Sequence, residues 1–196
     1  MIDRETFDLM KRKHGGYASW AVWAESSGSR KDWLADPDIL DPDRNSTLLA
    51  ELKNDVVMLG LNQSGREIER PFGNFHDYNR HGHDYKIPFA FADTDYRGAY
   101  MTDLIKVPEL ESGNLARRLR ADPSLVEASL SKLREELDDL GGPPPTLIAF
   151  GGLTYRLARG HADASWYSTL RRVTHYSAWQ FTAEEYRGRV RAELGL

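Results

Sequence analysis

Residues 56–65 read V-V-M-L-G-L-N-Q-S-G, and this segment decides the fold that we predict for the chain. A short apolar run that leads into a polar, glycine-containing loop is typical of a buried parallel strand. In open α/β sheets, ligands bind beyond the carboxyl ends of the strands, so the loop after Gly60 lies where a functional site is expected. That loop begins with Leu61, Asn62, Gln63 and Ser64. A Gly-Asn-Ser cluster after a strand also forms ordinary turns, and the local pattern leaves this alternative open.

Beyond this segment, strand signals alternate with helix signals. From residue 123 to 140, apolar residues recur at spacings of three and four, which predicts an amphipathic helix. The sequence T-A-E-E at 182–185 is the capping-box signature of a final helix. The other predicted elements are strands over 99–102, 146–150 and 172–174 and a helix from 153 to about 162.

Residues 1–54 are predicted to form a helical leader that packs on the rest of a single domain spanning residues 1–196. Residues 5–13 and a segment ending near Lys53 have helical character, and residues 19–23 form an apolar aromatic stretch. We expect the second of these helices to lead the chain into the first strand.

Strands that alternate with helices imply a parallel sheet with helices on both faces. In such a sheet the carboxyl ends of all four strands lie at one rim. The residues that close the four strands would gather there, and they are Asn62, Asp103, Gly151 and His175.

The composition fits one globular domain, since 40% of the 196 residues are hydrophobic and 29% are charged. No segment approaches the roughly 18 consecutive apolar residues of a membrane-spanning helix, and the first residues, M-I-D-R-E-T-F, lack the layout of a signal peptide. The chain contains no cysteine, which excludes disulfides, thiol nucleophiles and cysteine-ligated metal clusters. We therefore expect a cytoplasmic monomer with no membrane partner.

The net charge of -4 gives no global argument for nucleic-acid binding. Arginines nevertheless recur from Arg156 onward, while acidic residues concentrate earlier in the chain. This distribution indicates either a solvated surface with charges at helix ends or a local phosphate-binding face, and both interpretations stay open.

Five short motifs, taken in order, resemble those of the uracil-DNA glycosylase superfamily. G-L-N-Q-S-G at 60–65 is similar to its first motif, and R-P-F-G at 70–73 is similar to the segment that follows it in the mismatch-specific and single-strand-selective branches. The remaining three motifs resemble two strand ends and the second motif of the family. They are Y-M-T-D-L-I-K at 100–106, L-I-A-F-G-G at 147–152 and T-H-Y-S-A-W at 174–179.

The resemblance implies a three-layer α/β/α sandwich with a four-stranded parallel sheet. It also implies an enzyme that removes a damaged or deaminated base, uracil or a related one, from DNA by hydrolysing its N-glycosidic bond. Such enzymes flip the target nucleotide out of the stack and read its base in a pocket. By matching positions, Asn62 would orient or weakly activate the attacking water. His175 would donate a hydrogen bond to the base oxygen, unless it is an ordinary histidine at a strand end. Phe72, or otherwise Phe75, would stack on the base, although either ring could belong to the core.

Other roles follow from the same resemblance, which implies DNA as the partner and no metal or other cofactor. Asp103 stands where some branches have an asparagine that reads the base. A carboxylate offers only acceptors unless it is protonated, so a base with an exocyclic amine would suit Asp103 better than uracil. Gln63 and Tyr176 replace prolines of the family. Further pocket residues would be Gly60, Leu61, Gln63, Ser64, Asn74 and Ser177. DNA contacts would come from Tyr176, Trp179, Arg171 and Arg172, with ordinary packing as the alternative use of Trp179.

Two hypotheses from other functional classes stay open. The chain could keep the fold and pocket as a binding module for nucleic acid or nucleobases, without catalysis. Alternatively, a segment rich in histidine and aspartate could bind a divalent ion and activate water; its candidate ligands are His76, Asp77, His81, His83 and Asp84. The sequence contains neither the phosphate loop G-x-x-x-x-G-K-[ST] nor the zinc helix H-E-x-x-H.

Overall fold

Strands and helices alternate along the chain, and the computed structural model describes residues 2–32, 38–63, 68–76, 82–108 and 112–196. The strands are β1 (Ser19–Trp20), β2 (Val56–Asn62), β3 (Tyr100–Ile105), β4 (Thr146–Phe150) and β5 (Thr169–Val173). The α-helices are α1 (Arg4–His14), α2 (Leu48–Glu51), α3 (Lys86–Phe91), α4 (Ser112–Ala121), α5 (Ser124–Leu140), α6 (Gly152–His161) and α7 (Ala183–Leu194). Short 3-10 helices lie at Arg30–Asp32 and Ala164–Trp166. Within the described ranges, no helix is long and apolar enough to cross a membrane.

Five strands form one mixed, mostly parallel sheet in the order β1-β3-β2-β4-β5. The four predicted strands, β2 to β5, pair in parallel, and β1 pairs antiparallel with β3 at the edge. The predicted α/β class is therefore confirmed, while the sheet has one strand more than predicted. The sequence does not reveal β1 because only Ser19 and Trp20 take part in its pairing, too few residues to show a strand period.

The carboxyl ends of the parallel strands meet at one rim, because neighbouring strands are in close register. Gly60 of β2 pairs with Asp103 of β3, and Phe150 of β4 pairs with Val173 of β5. The chain runs from β2 to β3 on one side of the sheet and from β4 to β5 on the other, so the connections diverge at the β2–β4 pair. A topological switch point of this kind is where ligands bind in open α/β sheets.

Apolar side chains pack on both faces of the sheet, because successive strand residues point to opposite faces. On one face, Val57 and Leu59 pack with residues of α1, α4, α5 and α6. On the other, Val56 and Met58 pack with residues of α3 and α7. Full burial of a large apolar side chain stabilises the fold by about 1.5–3 kcal/mol. The two apolar clusters therefore fix the helices on the sheet, and with them the loops that join these helices to the carboxyl ends of the strands.

Several element boundaries differ from the sequence prediction. β3 continues to Ile105, so Asp103 lies inside the strand rather than at its end. The helix expected before the first strand is one turn, Leu48–Glu51, and β5 begins earlier than predicted, at Thr169. α3 and α4 have no predicted counterpart. α3 opens with K-I-P, and proline is tolerated there because first-turn N–H groups have no intrahelical acceptor.

The two helices with the strongest sequence signals are confirmed. α5 ends where Gly141 takes a positive φ of 67°. α7 begins with the predicted capping box: the Glu185 N–H donates to Thr182 Oγ1 at 3.2 Å, and the Thr182 N–H donates to Glu185 Oε2 at 2.8 Å. Each motif predicts its helix because the pattern that defines it is local in sequence.

Candidate active site

Asp103 and Gly60 form the centre of the candidate site, near the carboxyl ends of β3 and β2. They are register partners on neighbouring strands. A Cβ atom built on Gly60 would overlap the Oδ1 atom of Asp103 and would lie 3.0 Å from the ring of Phe75. Glycine at position 60 therefore leaves the space that the carboxyl group and the aromatic ring share.

The carboxyl group of Asp103 is buried, and its one hydrogen bond within the described residues comes from Asn74. The residue is 3% exposed, and Asn74 Nδ2 donates to its Oδ2 atom at 2.9 Å. Burial raises the pKa of Asp103 to about 6, although the Asn74 hydrogen bond and the charge of Lys106 act in the opposite direction. Near neutral pH the carboxylate is therefore mostly ionised and offers Oδ1 as an acceptor.

Two phenylalanines flank Asn74 on a strained loop. Phe72 and Phe75 have positive φ angles of 63° and 61°, which residues with a side chain rarely adopt. Phe72 is 1% exposed and lies in the core, with its ring centroid 5.4 Å from that of Phe7. Phe75 packs on the other face of the sheet, beside Gly60. Both rings are therefore buried in the core, and of the two only Phe75 also borders Asp103, through the space beside Gly60.

His175 follows β5 and is held in one tautomer by Ser177. The backbone N–H of Ser177 donates to His175 Nδ1 at 3.1 Å, and the Ser177 hydroxyl lies 2.8 Å from the same nitrogen. Because Nδ1 accepts a backbone hydrogen, the proton of the neutral ring is on Nε2. Burial lowers the pKa of His175 to about 4, and the charge of His83 acts in the same direction. His175 is therefore a neutral donor, and Nε2 has no partner among the described residues.

Tyr176 packs between His175 and the apolar cluster below the rim. Its ring stacks on that of His175, with centroids 4.4 Å apart and an interplanar angle of 26°. Its edge meets Phe150, with ring centroids 5.4 Å apart. Burial and the carboxylates of Asp84 and Asp103 raise the pKa of Tyr176 well above its ordinary value. The structure thus places Tyr176, a predicted DNA contact, in packing contact with the apolar cluster of α3 and α7.

Asn62 ends β2 and is tied to the backbone on either side. Its Nδ2 atom donates to the carbonyl oxygen of Gln63 at 2.8 Å and to that of Val107 at 3.3 Å. The side chain of Gln63 donates to the carbonyl oxygen of Gly16 at 3.4 Å, and Leu61 packs against the core on the α5 side. Ser64 lies outside the described residues. These contacts anchor the start of the loop that the sequence motif predicts.

Trp179 stands in the turn after His175 and is exposed. Its side chain is 84% exposed, so the packing alternative is wrong for this residue. The turn itself is fixed, because the buried ammonium group of Lys86 donates to the carbonyl oxygens of Ala178 at 3.0 Å and Phe181 at 2.7 Å. The Ala178 N–H also donates to the His175 carbonyl oxygen at 3.0 Å. The protein therefore presents an aromatic ring to solvent, next to the rim, on a held turn.

The two arginines predicted to contact DNA are both exposed, although one of them also bonds the backbone. Arg171 Nη1 donates to the carbonyl oxygen of Leu194 at 2.8 Å, which satisfies the end of α7. Arg172, the next residue of β5, is exposed. Arg187 and Arg189 of α7 also have intramolecular partners, Asp93 and Glu193. Several of the arginines in the last part of the chain thus form hydrogen bonds or ion pairs within the protein.

The histidine-rich segment is divided between the core and the rim. His76 is buried, its Nε2 atom lies 3.2 Å from the Trp20 carbonyl oxygen, and its ring stacks on Trp23. His83 Nδ1 lies 3.4 Å from Arg30 Nη2. Of the other proposed ligands, Asp84 begins the turn that leads into α3, while Asp77 and His81 lie outside the described residues. The part of the chain that the structure describes contains no group of three or more side chains placed to hold a metal ion.

Two lysines stabilise the rim, and the sequence analysis assigns neither of them a role. Lys86 bonds the turn that carries Trp179, and the charge of Lys106 lowers the pKa of Asp103. Lys106 pairs with the buried Glu136, and its Nζ atom donates to Thr102 Oγ1 at 2.6 Å. Apart from Thr102, their partners lie far away in the sequence, so only the fold brings them together. The one available signal was that Lys106 ends the motif Y-M-T-D-L-I-K.

No protein-family model matches the chain, and neither a curated protein nor a solved structure matches it significantly. Function is therefore inferred from the residues of the rim.

Proposed function

We propose that the protein hydrolyses the N-glycosidic bond of a damaged, deaminated or mismatched base in DNA. The observation that carries the proposal is that the rim holds both a neutral donor, His175 Nε2–H, and a buried carboxylate acceptor, Asp103. Asp103 lies near the carboxyl end of β3 and His175 directly follows β5, so both belong to the rim of the parallel strands. A base edge that carries both a donor and an acceptor would be complementary to this pair.

The chemistry of base release suits these groups. When the glycosidic bond breaks, negative charge develops on the departing base and positive charge develops on the sugar. A preorganised N–H donor stabilises the first charge, and such donors typically contribute 10²–10³-fold in rate. The Asn62 amide would orient the attacking water, because an amide is too weak a base to deprotonate it. Asp103 would hold the base, with Phe75 as the apolar wall beside it.

Asp103 also narrows the class of base. Asn74 occupies Oδ2, so the ionised carboxylate offers Oδ1 to a ligand N–H and cannot donate to a carbonyl. Uracil presents carbonyl oxygens on both sides of its ring N–H. A base with an exocyclic amine meets an acceptor without that repulsion, which supports an amine-bearing substrate over uracil.

The proposed partner is DNA, and the protein would act as a cytoplasmic monomer. Extrusion of a base leaves a gap in the stack that an inserted side chain commonly fills. Trp179 is exposed on the held turn beside His175, which supports this use, and Arg172 is exposed on β5. Helices packed on each face of the sheet support the finer fold assignment of a three-layer α/β/α sandwich.

Formation of abasic sites in oligonucleotides tests the proposal. The substrates carry uracil, hypoxanthine, xanthine or a mismatched amine-bearing base. We expect the wild type to cleave at least one of them, and both Asn62→Ala and His175→Ala to reduce the single-turnover rate by about 10²–10³-fold. His161→Ala, on the exposed end of α6, is the matched control and should keep full activity. If no substrate yields abasic sites, the enzymatic proposal is wrong.

The exposed Trp179 also favours a second candidate, a binding module that stacks on nucleobases without cleaving them. Base–aromatic stacking stabilises single-stranded complexes by about 1–3 kcal/mol per base. This candidate predicts salt-sensitive oligonucleotide binding that Trp179→Ala weakens, with no turnover. Absence of binding at low salt would count against it.

A further inference from the structure

The turn at residues 15–17, between α1 and β1, holds the candidate site through three successive carbonyl groups. The Gly15 carbonyl oxygen accepts the Phe72 N–H at 2.7 Å. The Gly16 carbonyl oxygen accepts from Gln63 Nε2 at 3.4 Å, and the Tyr17 carbonyl oxygen accepts from Asn74 Nδ2 at 2.8 Å. The N-terminal turn therefore fixes both ends of the segment that connects β2 with the Phe75 loop.

The side chain of Tyr17 is itself held on two sides. Its hydroxyl group lies 2.6 Å from His14 Nδ1, and the other ring nitrogen of His14 lies 2.7 Å from Asp139 Oδ2 on α5. Burial raises the pKa of Tyr17 above its ordinary value, so the hydroxyl stays protonated in its contact with His14. The ammonium group of Lys106 lies 4.8 Å from the centroid of the Tyr17 ring. These contacts tie the turn to α1, α5 and the end of β3.

Asn74 transmits the position of the turn to Asp103. One amide group donates to both the Tyr17 carbonyl oxygen and Asp103 Oδ2, and the Asn74 Oδ1 atom accepts the Phe75 N–H at 3.1 Å. A side-chain amide is planar and rigid, so a displacement of the Tyr17 carbonyl group would rotate the donor that faces Asp103. The orientation of the Asp103 carboxyl group would then change.

We propose that Tyr17 is a positioning residue, which acts through Asn74 to set the orientation of the Asp103 carboxyl group toward a ligand. The ligand named above, an amine-bearing base, rests on the proposed function. The effect of Tyr17 on the Asp103 carboxyl group does not rest on the proposed function, because it can be measured on the protein without a ligand.

The test is an NMR titration of the Asp103 carboxyl carbon in the wild type, Asn74→Leu, Tyr17→Leu and the double variant. Charged groups near Asp103 are Lys106, which lowers its pKa, and Glu136, which raises it; all four proteins retain both. Loss of the Asn74 hydrogen bond should raise the Asp103 pKa by about one pH unit. Tyr17→Leu should raise it part of the way, and the double variant should match Asn74→Leu. Tyr167→Leu, at the opposite edge of the sheet, should leave it unchanged.

The proposal would be overturned if the Asp103 pKa in Tyr17→Leu equals that of the wild type, or if the two single-variant pKa shifts add in the double variant. Either result means that Tyr17 does not act through Asn74. If Tyr17→Leu does not fold, Tyr17→Phe removes only the hydroxyl that bonds His14 and should give a smaller shift of the same sign. No shift in Tyr17→Phe would then overturn it. Failure of base cleavage would leave these titrations unaffected, so the two proposals fail separately.

Discussion

Burial sets the protonation states of three side chains in and behind the rim. It raises the pKa of Asp103 to about 6 and lowers those of His175 and His76 to about 4. Each group is thereby given one hydrogen-bonding role near neutral pH. Asp103 accepts, His175 donates through Nε2, and His76 stays neutral beside the Trp20 carbonyl oxygen. Perturbed groups of this kind cluster at functional sites, and two of these three belong to the candidate site.

The stability of the protein should depend on pH through His76. Its pKa falls from 6.5 to about 4 on folding. Below about pH 6.5 the unfolded chain takes up a proton that the folded chain does not, so the free energy of unfolding decreases as the pH falls toward 4. The contribution is fully present above about pH 6.5 and amounts to about 3 kcal/mol.

Urea unfolding of the wild type and His76→Gln near neutral pH and at about pH 4.5 checks this effect. The stability of the wild type relative to the variant should fall by about 2–3 kcal/mol between the two conditions. Comparing the two proteins cancels the opposite contribution of Asp103, whose raised pKa favours the folded state as the pH falls below about 6. A stability difference between the wild type and His76→Gln that does not change with pH would contradict the account.

At the scale of elements, α3 acts on the turn that carries Trp179. Lys86 is the first residue of this helix and is 1% exposed, and its ammonium group bonds two carbonyl oxygens of that turn. α3 also packs on α7, so it links the C-terminal helix to the residues just before α3, which include His83. A buried lysine of this kind stabilises the structure only while both carbonyl acceptors stay in place.

Lys86→Met should release the turn. A buried carbonyl group that loses its donor costs about 1–3 kcal/mol, and the two acceptors here are partly buried, so the free energy of unfolding should fall by about 1–3 kcal/mol in total. Hydrogen exchange at the Ala178 amide, which bonds the His175 carbonyl oxygen, should become faster.

Lys53→Met is the matched control for this change. Lys53 also donates to a backbone carbonyl oxygen, that of Asp95, but on the surface, where water replaces the lost bond. It should change the unfolding free energy by less than about 0.5 kcal/mol. Equal effects of the two substitutions, or unchanged exchange at Ala178 in Lys86→Met, would contradict the role of Lys86 in holding the turn.

At the scale of the whole molecule, the sequence predicts the elements whose signals are local. The apolar run of β2, the helical stripe of α5 and the capping box of α7 each contain their own pattern, and all three are confirmed. β1 and α3 are different, because a two-residue strand and a six-residue helix are stabilised by partners far away in the sequence. Tertiary packing decides such elements, and no single window of sequence contains it.

The candidate site shows the same division. Strand ends predict which residues share the rim, so Asn62 and His175 can be named from the sequence, whereas Asp103 lies inside β3 and reaches the rim through its register with Gly60. Side-chain direction cannot be predicted in this way, since Phe72 enters the core and Phe75 approaches Gly60 only because both adopt positive φ angles. The tautomer of His175 is likewise set by a contact with Ser177 that the sequence does not reveal.

The central claim is that Asp103 and His175 at the rim recognise a base and promote its release. Replacement of the Asp103 carboxylate by an amide tests this claim most directly. Asparagine at position 103 would supply a donor as well as an acceptor, which suits a uracil carbonyl. We would measure single-turnover abasic-site formation by the wild type and Asp103→Asn on uracil and on a mismatched amine-bearing base. The wild type should prefer the amine-bearing base, and Asp103→Asn should shift the rate ratio toward uracil by at least about tenfold. A wild type that prefers uracil, or a ratio that the substitution leaves unchanged, would contradict the account.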